Sequence, residues 1–184
     1  FAANVGHHID SVLVDGIRTD STSRYTFLNV ISARSLSVFA SIDSFALTIS
    51  SVHGSSTPSG VVKVAYGASR SIVFLPDTGY HVDSIVVDGV TVDSLTSYTF
   101  TNVTTAHTIT AYHSIDHFTI TASVVNGSIT PSGATVNAYG SDRTFAITPS
   151  VGCHIDSVVV DGARVDSTTS YSFVNIRSAH AITA

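Results

Sequence analysis

One block of residues comes back three times in this chain at a constant interval: Gly6-His7-His8-Ile9-Asp10-Ser11, Gly79-Tyr80-His81-Val82-Asp83-Ser84 and Gly152-Cys153-His154-Ile155-Asp156-Ser157. The interval is 73 residues both times (79 minus 6, 152 minus 79), and it also superposes Asp15-Gly16 on Asp88-Gly89 and Asp161-Gly162 without an insertion. A constant period means that one supersecondary unit is reused, so the fold has to close within one period and abut its neighbours. An active site is normally one asymmetric constellation, whereas an array multiplies length and surface. The period therefore points toward a stalk, filament or adhesin.

Cut at that interval, the chain is the C-terminal part of a module over 1–38, a complete module over 39–111 and a second complete module over 112–184. It contains no Glu, Gln, Met or Trp, and Lys63 is its only lysine, so most unbranched helix formers are missing. Val, Thr, Ser and Ile take their place. Branched side chains lose freedom in a helix and pack well on a pleated surface, while Ser and Asp compete for helical hydrogen bonds. With 43% hydrophobic and 11% charged residues the chain has the apolar content for packed cores. The expected fold is all-β: tandem small antiparallel modules, β-grasp-like or small β-sandwiches, forming a semi-rigid rod of repeats.

Alternation of Phe118, Ile120, Ala122 and Val124 with Thr119, Thr121 and Ser123 predicts a strand with one buried face. Asn126-Gly127, matched by His53-Gly54, predicts a tight turn that pairs Val124 with Ile129. Pro131-Ser132-Gly133 starts a further strand to Tyr139, expected to form a second hairpin with Phe145-x-Ile147; Pro58-Ser59-Gly60, Tyr66 and Ile72-x-Phe74 repeat it. The Asp88-Gly89 loop predicts the clearest hairpin, pairing Val87 with Val90 and Ile85 with Val92. Tyr98-x-Phe100 and Ile109-x-Ala111 supply two more strands, for six or seven per module. Only His113-Ser114-Ile115-Asp116 separates one module from the next, too short for a random-coil linker.

A formal net charge of −5 with 8 Lys and Arg offers no basic surface for phosphates, so nucleic acid is not an expected partner. No apolar run approaches the roughly 20 residues of a membrane-spanning helix, so no membrane insertion is expected within this segment. The lone Cys153 is replaced by His7 and Tyr80 in the other copies and reads as incidental. Phe1 falls in mid-repeat, which reads as a piece of something longer.

The order of these features carries a resemblance. Phe118-Thr119-Ile120-Thr121-Ala122, the run Asn126 to Gly133, Phe145-Ala146-Ile147-Thr148-Pro149 with Gly152, Val158-Val159-Val160-Asp161-Gly162, Tyr171-Ser172-Phe173 and the closing Ala179-His180-Ala181-Ile182-Thr183-Ala184 resemble the divergent internalin-B-type B-repeat of bacterial surface proteins. The resemblance covers essentially the whole chain and implies a spacer or adhesive module of compact β fold in a large secreted or wall-attached protein, without catalytic residues. The aromatic stretch of the better-known internalin repeats is replaced here by Gly79-Tyr80-His81-Val82-Asp83, with no Trp.

His81, Asp83 and Ser84 hold the residue types of a hydrolase triad, but on a strand Ser84 faces away from the other two, so catalysis is not expected. His81 with Asp83, and His154 with Asp156, are the weak candidates for metal ligation, each pair supplying two ligands at most. Neither a calcium loop motif nor any cofactor motif occurs, so no cofactor is expected. The Thr rows Thr119 and Thr121, Thr99 and Thr101, Thr108 and Thr110 predict exposed hydroxyl ladders, and Tyr66, Tyr98, Tyr139 and Tyr171 either cap small cores or stack on sugars.

The function expected is that of a non-enzymatic extracellular structural segment, the stalk or shaft of a cell-surface fibre, filament or adhesin, with homotypic contacts between neighbouring modules or subunits. Residues 1–38 lack counterparts of Phe45 through Val73, which predicts an open core and unpaired strand edges that another subunit would complement. The alternative is an adhesive module for surface glycans or a host protein.

Overall fold

The computed structural model describes residues 1–20 and 23–184. The first, partial repeat contributes β1 (His7–Val14), β2 (Ile17–Thr19) and β3 (Leu36–Ile42), in the sheet order β2-β1-β3. The middle repeat holds β4 (Ser44–Val52), β5 (Gly54–Thr57), β6 (Gly60–Ala65), β7 (Arg70–Pro76), β8 (Tyr80–Val87), β9 (Val90–Val92), β10 (Ser97–Phe100) and β11 (His107–Ile115). The third holds β12 (His117–Ser123), β13 (Gly127–Thr130), β14 (Gly133–Ala138), β15 (Arg143–Pro149), β16 (Val158–Val160), β17 (Ala163–Val165), β18 (Ser170–Phe173) and β19 (His180–Thr183). No helix occurs among the described residues. The chain is all-β and modular, as its composition and period require.

Each complete repeat is two sheets enclosing one core, a five-stranded sheet (β6-β4-β11-β8-β9 and β14-β12-β19-β16-β17) and a three-stranded one (β10-β7-β5 and β13-β15-β18). Without a helix this is the sandwich rather than the β-grasp option. The Asp-Gly hairpin has the expected register, Ile85 opposite Val92 and Val87 opposite Val90. Asp88 at φ 49° and Gly89 at φ 81° supply the two positive torsions that a type I′ turn demands.

Three local expectations differ. Asn126-Gly127 does not make a hairpin: β12 pairs with β14 and β19, while β13 pairs with β15 in the other sheet, so Val124 has no ladder partner at Ile129. Only Asn126 of that dipeptide takes positive φ, and a single left-handed residue turns a corner between sheets instead of reversing a strand. The second expected hairpin fails for the same reason, since β14 and β15 lie in different sheets. Third, the modules are not purely antiparallel: β4 and β11 run parallel, with Leu47 opposite His107 and Ile49 opposite Ile109, and β12 and β19 repeat this. The supposed four-residue linker is also strand up to Ile115, which leaves Asp116 alone between β11 and β12.

The middle core gathers Leu47, Ile49, Val64, Ile72, Phe74, Ile85 and Ile109 with Phe100 and Val103, and the third repeat builds its own from Ile120, Phe145, Ile147, Val158, Phe173, Ile176 and Ile182. Phe74 with Ile72 becomes Ile147 with Phe145, an exchange of sizes between adjacent inward positions that conserves volume. Val64 becomes Asn137, buried to 7% and satisfied by bonds from its Nδ2 to Thr135 O at 3.0 Å and Phe118 O at 3.5 Å.

By proximity the chain divides into two compact units, Phe1–Leu75 with Val82–Tyr112, and Pro76–His81 with His113–Ala184. Within the first, the partial repeat has the open core its sequence predicts. Leu36 is 41% exposed and Val38 40%, whereas their period mates Ile109 and Ala111 are at 1% and 0%. The same repeat position therefore carries different energetic weight. Ile109→Ala should destabilise its repeat by about 3 kcal/mol through lost burial and a cavity, while Leu36→Ala stays within about 0.5 kcal/mol. Hydrogen exchange of the β11 and β3 amides checks both values.

Candidate functional site

The period does more than repeat strands; it rebuilds one polar junction. In the second unit, Asp116 stands alone between two strands and its backbone N–H donates to Gly79 O at 2.8 Å. Its carbonyl accepts the Tyr139 N–H at 2.8 Å, and its Oδ1 accepts from His81 Nδ1 at 2.7 Å. The first unit repeats this from residues one period earlier: Asp43 N to Gly6 O at 2.7 Å, Tyr66 N to Asp43 O at 2.8 Å, His8 Nδ1 to Asp43 Oδ1 at 2.7 Å. A carboxylate only accepts, so the proton of each imidazole sits on Nδ1. We call this arrangement the junction clasp.

Glycine is required in it for two reasons. Gly79 has φ 80°, in the left-handed region that side chains avoid, and a Cβ there would collide with the Tyr139 ring. Gly6 stands in the same relation to Tyr66. The tyrosines are in turn backed by Phe118 and Phe45 at ring-centroid distances of 6.4 Å in both units, and Arg177 lies 5.6 Å over the Tyr139 ring. Tyr98 and Tyr171 pack edge-on against Phe100 and Phe173 at 5.0 Å. All four tyrosines are thus engaged within their own unit.

A second aspartate recurs at the tip of the Asp-Gly hairpin. Asp88 Oδ2 accepts from His107 Nδ1 at 2.6 Å and its Oδ1 from the Thr108 N–H at 2.7 Å, pinning the hairpin to the start of β11. Asp161 does the same with His180 and Ala181, and Asp15 with Arg34 and Ser35. These bonds, the backbone N–H first, hold the Asp15, Asp88 and Asp161 carboxyls below the ordinary carboxylate range. The hydrogen bond from Asp43 holds His8 above the ordinary imidazole value.

The sequence-predicted ligands separate. His81 turns to Asp116 instead of Asp83, and only in the first copy does a bulge between Ile9 and Ser11 bring Asp10 within 3.2 Å of a histidine, His8. His154 is exposed, and Asp156 lies 3.7 Å from Arg164. No group of three or more His, Cys, Asp or Glu gathers among the described residues. Ser84 takes no part in a relay. Hydroxyl–imidazole–carboxylate order does arise elsewhere, in Ser178–His180–Asp161 and Thr105–His107–Asp88, with Oγ to Nε2 distances of 3.3 and 3.4 Å. Those distances are at the outer limit of a hydrogen bond, and each hydroxyl is only two residues from its histidine, a local turn contact. Of the threonine rows, Thr99 and Thr110 close cross-strand bonds with Ser71 at 2.8 Å and Ser50 at 2.7 Å.

Sequence reasoning missed Asp43 and Asp116 because each lies 35 residues from its histidine. The signal was there: Ser41-Ile42-Asp43 recurs intact as Ser114-Ile115-Asp116 although the flanking histidines change.

With the fold and clasp described, their kinship can be stated. The model of the divergent InlB B-repeat domain matches residues 45–116, so the middle repeat carries the family that the motifs suggested. No curated protein matches the chain. Among solved structures, the I9–I11 tandem from titin aligns over 96% of this chain and 88% of that one at 10% identity, with a TM-score of 0.18 that carries no argument about fold.

Two outcomes follow from the clasp and the hairpin pin. Gly79→Ala should cost about 3 kcal/mol, from the positive φ and displacement of Tyr139 together, whereas Gly152→Ala, with φ 80° and no atom within 4 Å of the added Cβ, costs only the torsional part of about 1 kcal/mol; denaturation of each variant measures the difference. The depressed carboxyls give stability that is complete above their unfolded value of about 3.9 and lost as pH falls through their lower folded values. His8, raised when folded, contributes fully below about 6.5 and loses its contribution as pH rises through its folded value. A melting temperature that stays flat from pH 5 to pH 2 would contradict the carboxylate assignment.

Proposed function

We propose that the chain is a non-enzymatic structural segment of a bacterial cell-surface protein, part of the stalk or shaft of an extracellular fibre or adhesin. The observation that carries this reading is the junction clasp, rebuilt from Gly, His, Asp and Tyr one period apart. Residues recur where their job is to join one copy to the next. A chemical site would recur for no such reason. The match of the middle repeat to a surface-protein repeat domain supports the location, and no helix among the described residues is long and apolar enough to cross a membrane.

The largest depression in the third repeat, about 430 Å³, is lined by Gly152, His154, Asp156 and Ala184, residues whose period mates are Gly79, His81, Asp83 and Ala111. It belongs to the repeat, not to a pocket found in one copy alone. The internal use of the four tyrosines favours the structural role over glycan stacking.

Copies joined through a single residue should add length. Small-angle scattering should give a radius of gyration well above the about 16 Å of a compact globule of this size, rising with each added repeat. A value near the compact limit would end the stalk reading, and saturable glycan binding by the tyrosine-bearing faces would favour the adhesive alternative.

A further inference from the structure

The third copy of the clasp is half built. Its turn has formed: Gly152 is at φ 80°, as Gly79 is, and Cys153 N–H donates to Ser150 O at 2.9 Å, as Tyr80 donates to Asp77 O at 3.0 Å and His7 to Asn4 O at 3.0 Å. No ring covers Gly152, since nothing lies within 4 Å of a Cβ placed there, although tyrosine covers both Gly6 and Gly79. The His154 side chain is exposed and has no hydrogen-bond partner among the described residues, whereas His8 and His81 each hold an aspartate. Strand β16 is Val158–Val160, where β1 and β8 each run for eight residues, and 153–157 lie outside any strand. Beside them lies the depression lined by Val124, Val125, Ile155 and Ala184.

We propose that residues 150–157 are a preformed acceptor for a further copy of the repeat, which docks by presenting an aspartate to His154 and Gly152 O and laying a tyrosine ring over Gly152. The occupant is specified by the two clasps already closed. It carries Ser-Ile-Asp at the end of one strand and a tyrosine 23 residues after that aspartate, as Asp43 with Tyr66 and Asp116 with Tyr139 do. Docking extends β16 toward Cys153, because the strand that brings the aspartate is the one that β1 pairs with up to His7 opposite Ile42. Glycine with its positive φ is set before the partner arrives, so little further ordering is needed at that position.

This inference rests on the structural-repeat reading and gives its contact chemistry. The test appends residues 112–184 once more after Ala184, which sets a second Asp116 and a second Tyr139 in phase with His154 and Gly152. Amide exchange at 154–157 should slow by about tenfold or more relative to the parent chain, as charge-assisted and ladder hydrogen bonds form. His154→Ala should leave the parent chain's exchange unchanged and return the extended chain most of the way to the parent rate. Asp→Ala at the appended copy of Asp116 should do the same without altering the acceptor. Equal exchange at 154–157 in the parent and extended chains, or no effect of either substitution in the extended chain, overturns the proposal. Scattering on the same samples separates the two readings: a radius of gyration that grows while 154–157 stay unprotected leaves the stalk standing and removes this acceptor.

Discussion

A single aspartate between two strands is the constraint on which the repeat depends. Asp116 uses all three of its hydrogen-bonding parts, with its N–H on Gly79, its carbonyl on Tyr139 and its carboxylate on His81. One residue thus ends β11, starts β12 and anchors the turn before β8. Each partner group would otherwise be left without a bond at a crowded place, where an unmade hydrogen bond costs more than a made one contributes. The tolerance for change is correspondingly low there and high elsewhere.

The cores illustrate that tolerance. Across one period Phe and Ile trade places on β7 and β15, Ile49 shrinks to Ala122, and Val64 gives way to Asn137. A core accepts such exchanges when volume and satisfaction of polar groups are kept. The hairpin and clasp residues Asp88, Gly89, Gly79, His81, Asp116 and Tyr139 keep their identities one period away, because a positive φ, a ring over a bare Cα and a carboxylate aimed at an N–H have no substitutes. The hairpin aspartate shows the limit of this: Arg34 takes the place of His107, and the carboxylate of Asp15 still receives both a cation and a backbone N–H.

What could be read early divides along sequence distance. The Asp-Gly hairpins were legible because the turn and both strands sit within one short window and the two torsions belong to adjacent residues. Asn126-Gly127 looked the same and was not, since a left-handed Asn alone suits a crossing between layers as well as a reversal. The parallel pairing of β4 with β11 leaves no local trace, as Leu47 and His107 meet only after the whole repeat has been traversed. The clasp was half visible: its Gly and His lie in the block that announced the period, but the aspartate and tyrosine come from the next copy.

The sequence by itself determined that the protein is a β-built array with a 73-residue period, that each copy encloses its own core, and where the tight hairpins fall, because period, branching and turn chemistry are local properties of the chain. Tertiary structure alone decided which strands share a sheet, that one pair runs parallel, and that His81 belongs to Asp116 rather than to Asp83. Those choices are made by long-range packing and by which buried polar group must find a partner, and neither is encoded in the spacing of neighbouring residues.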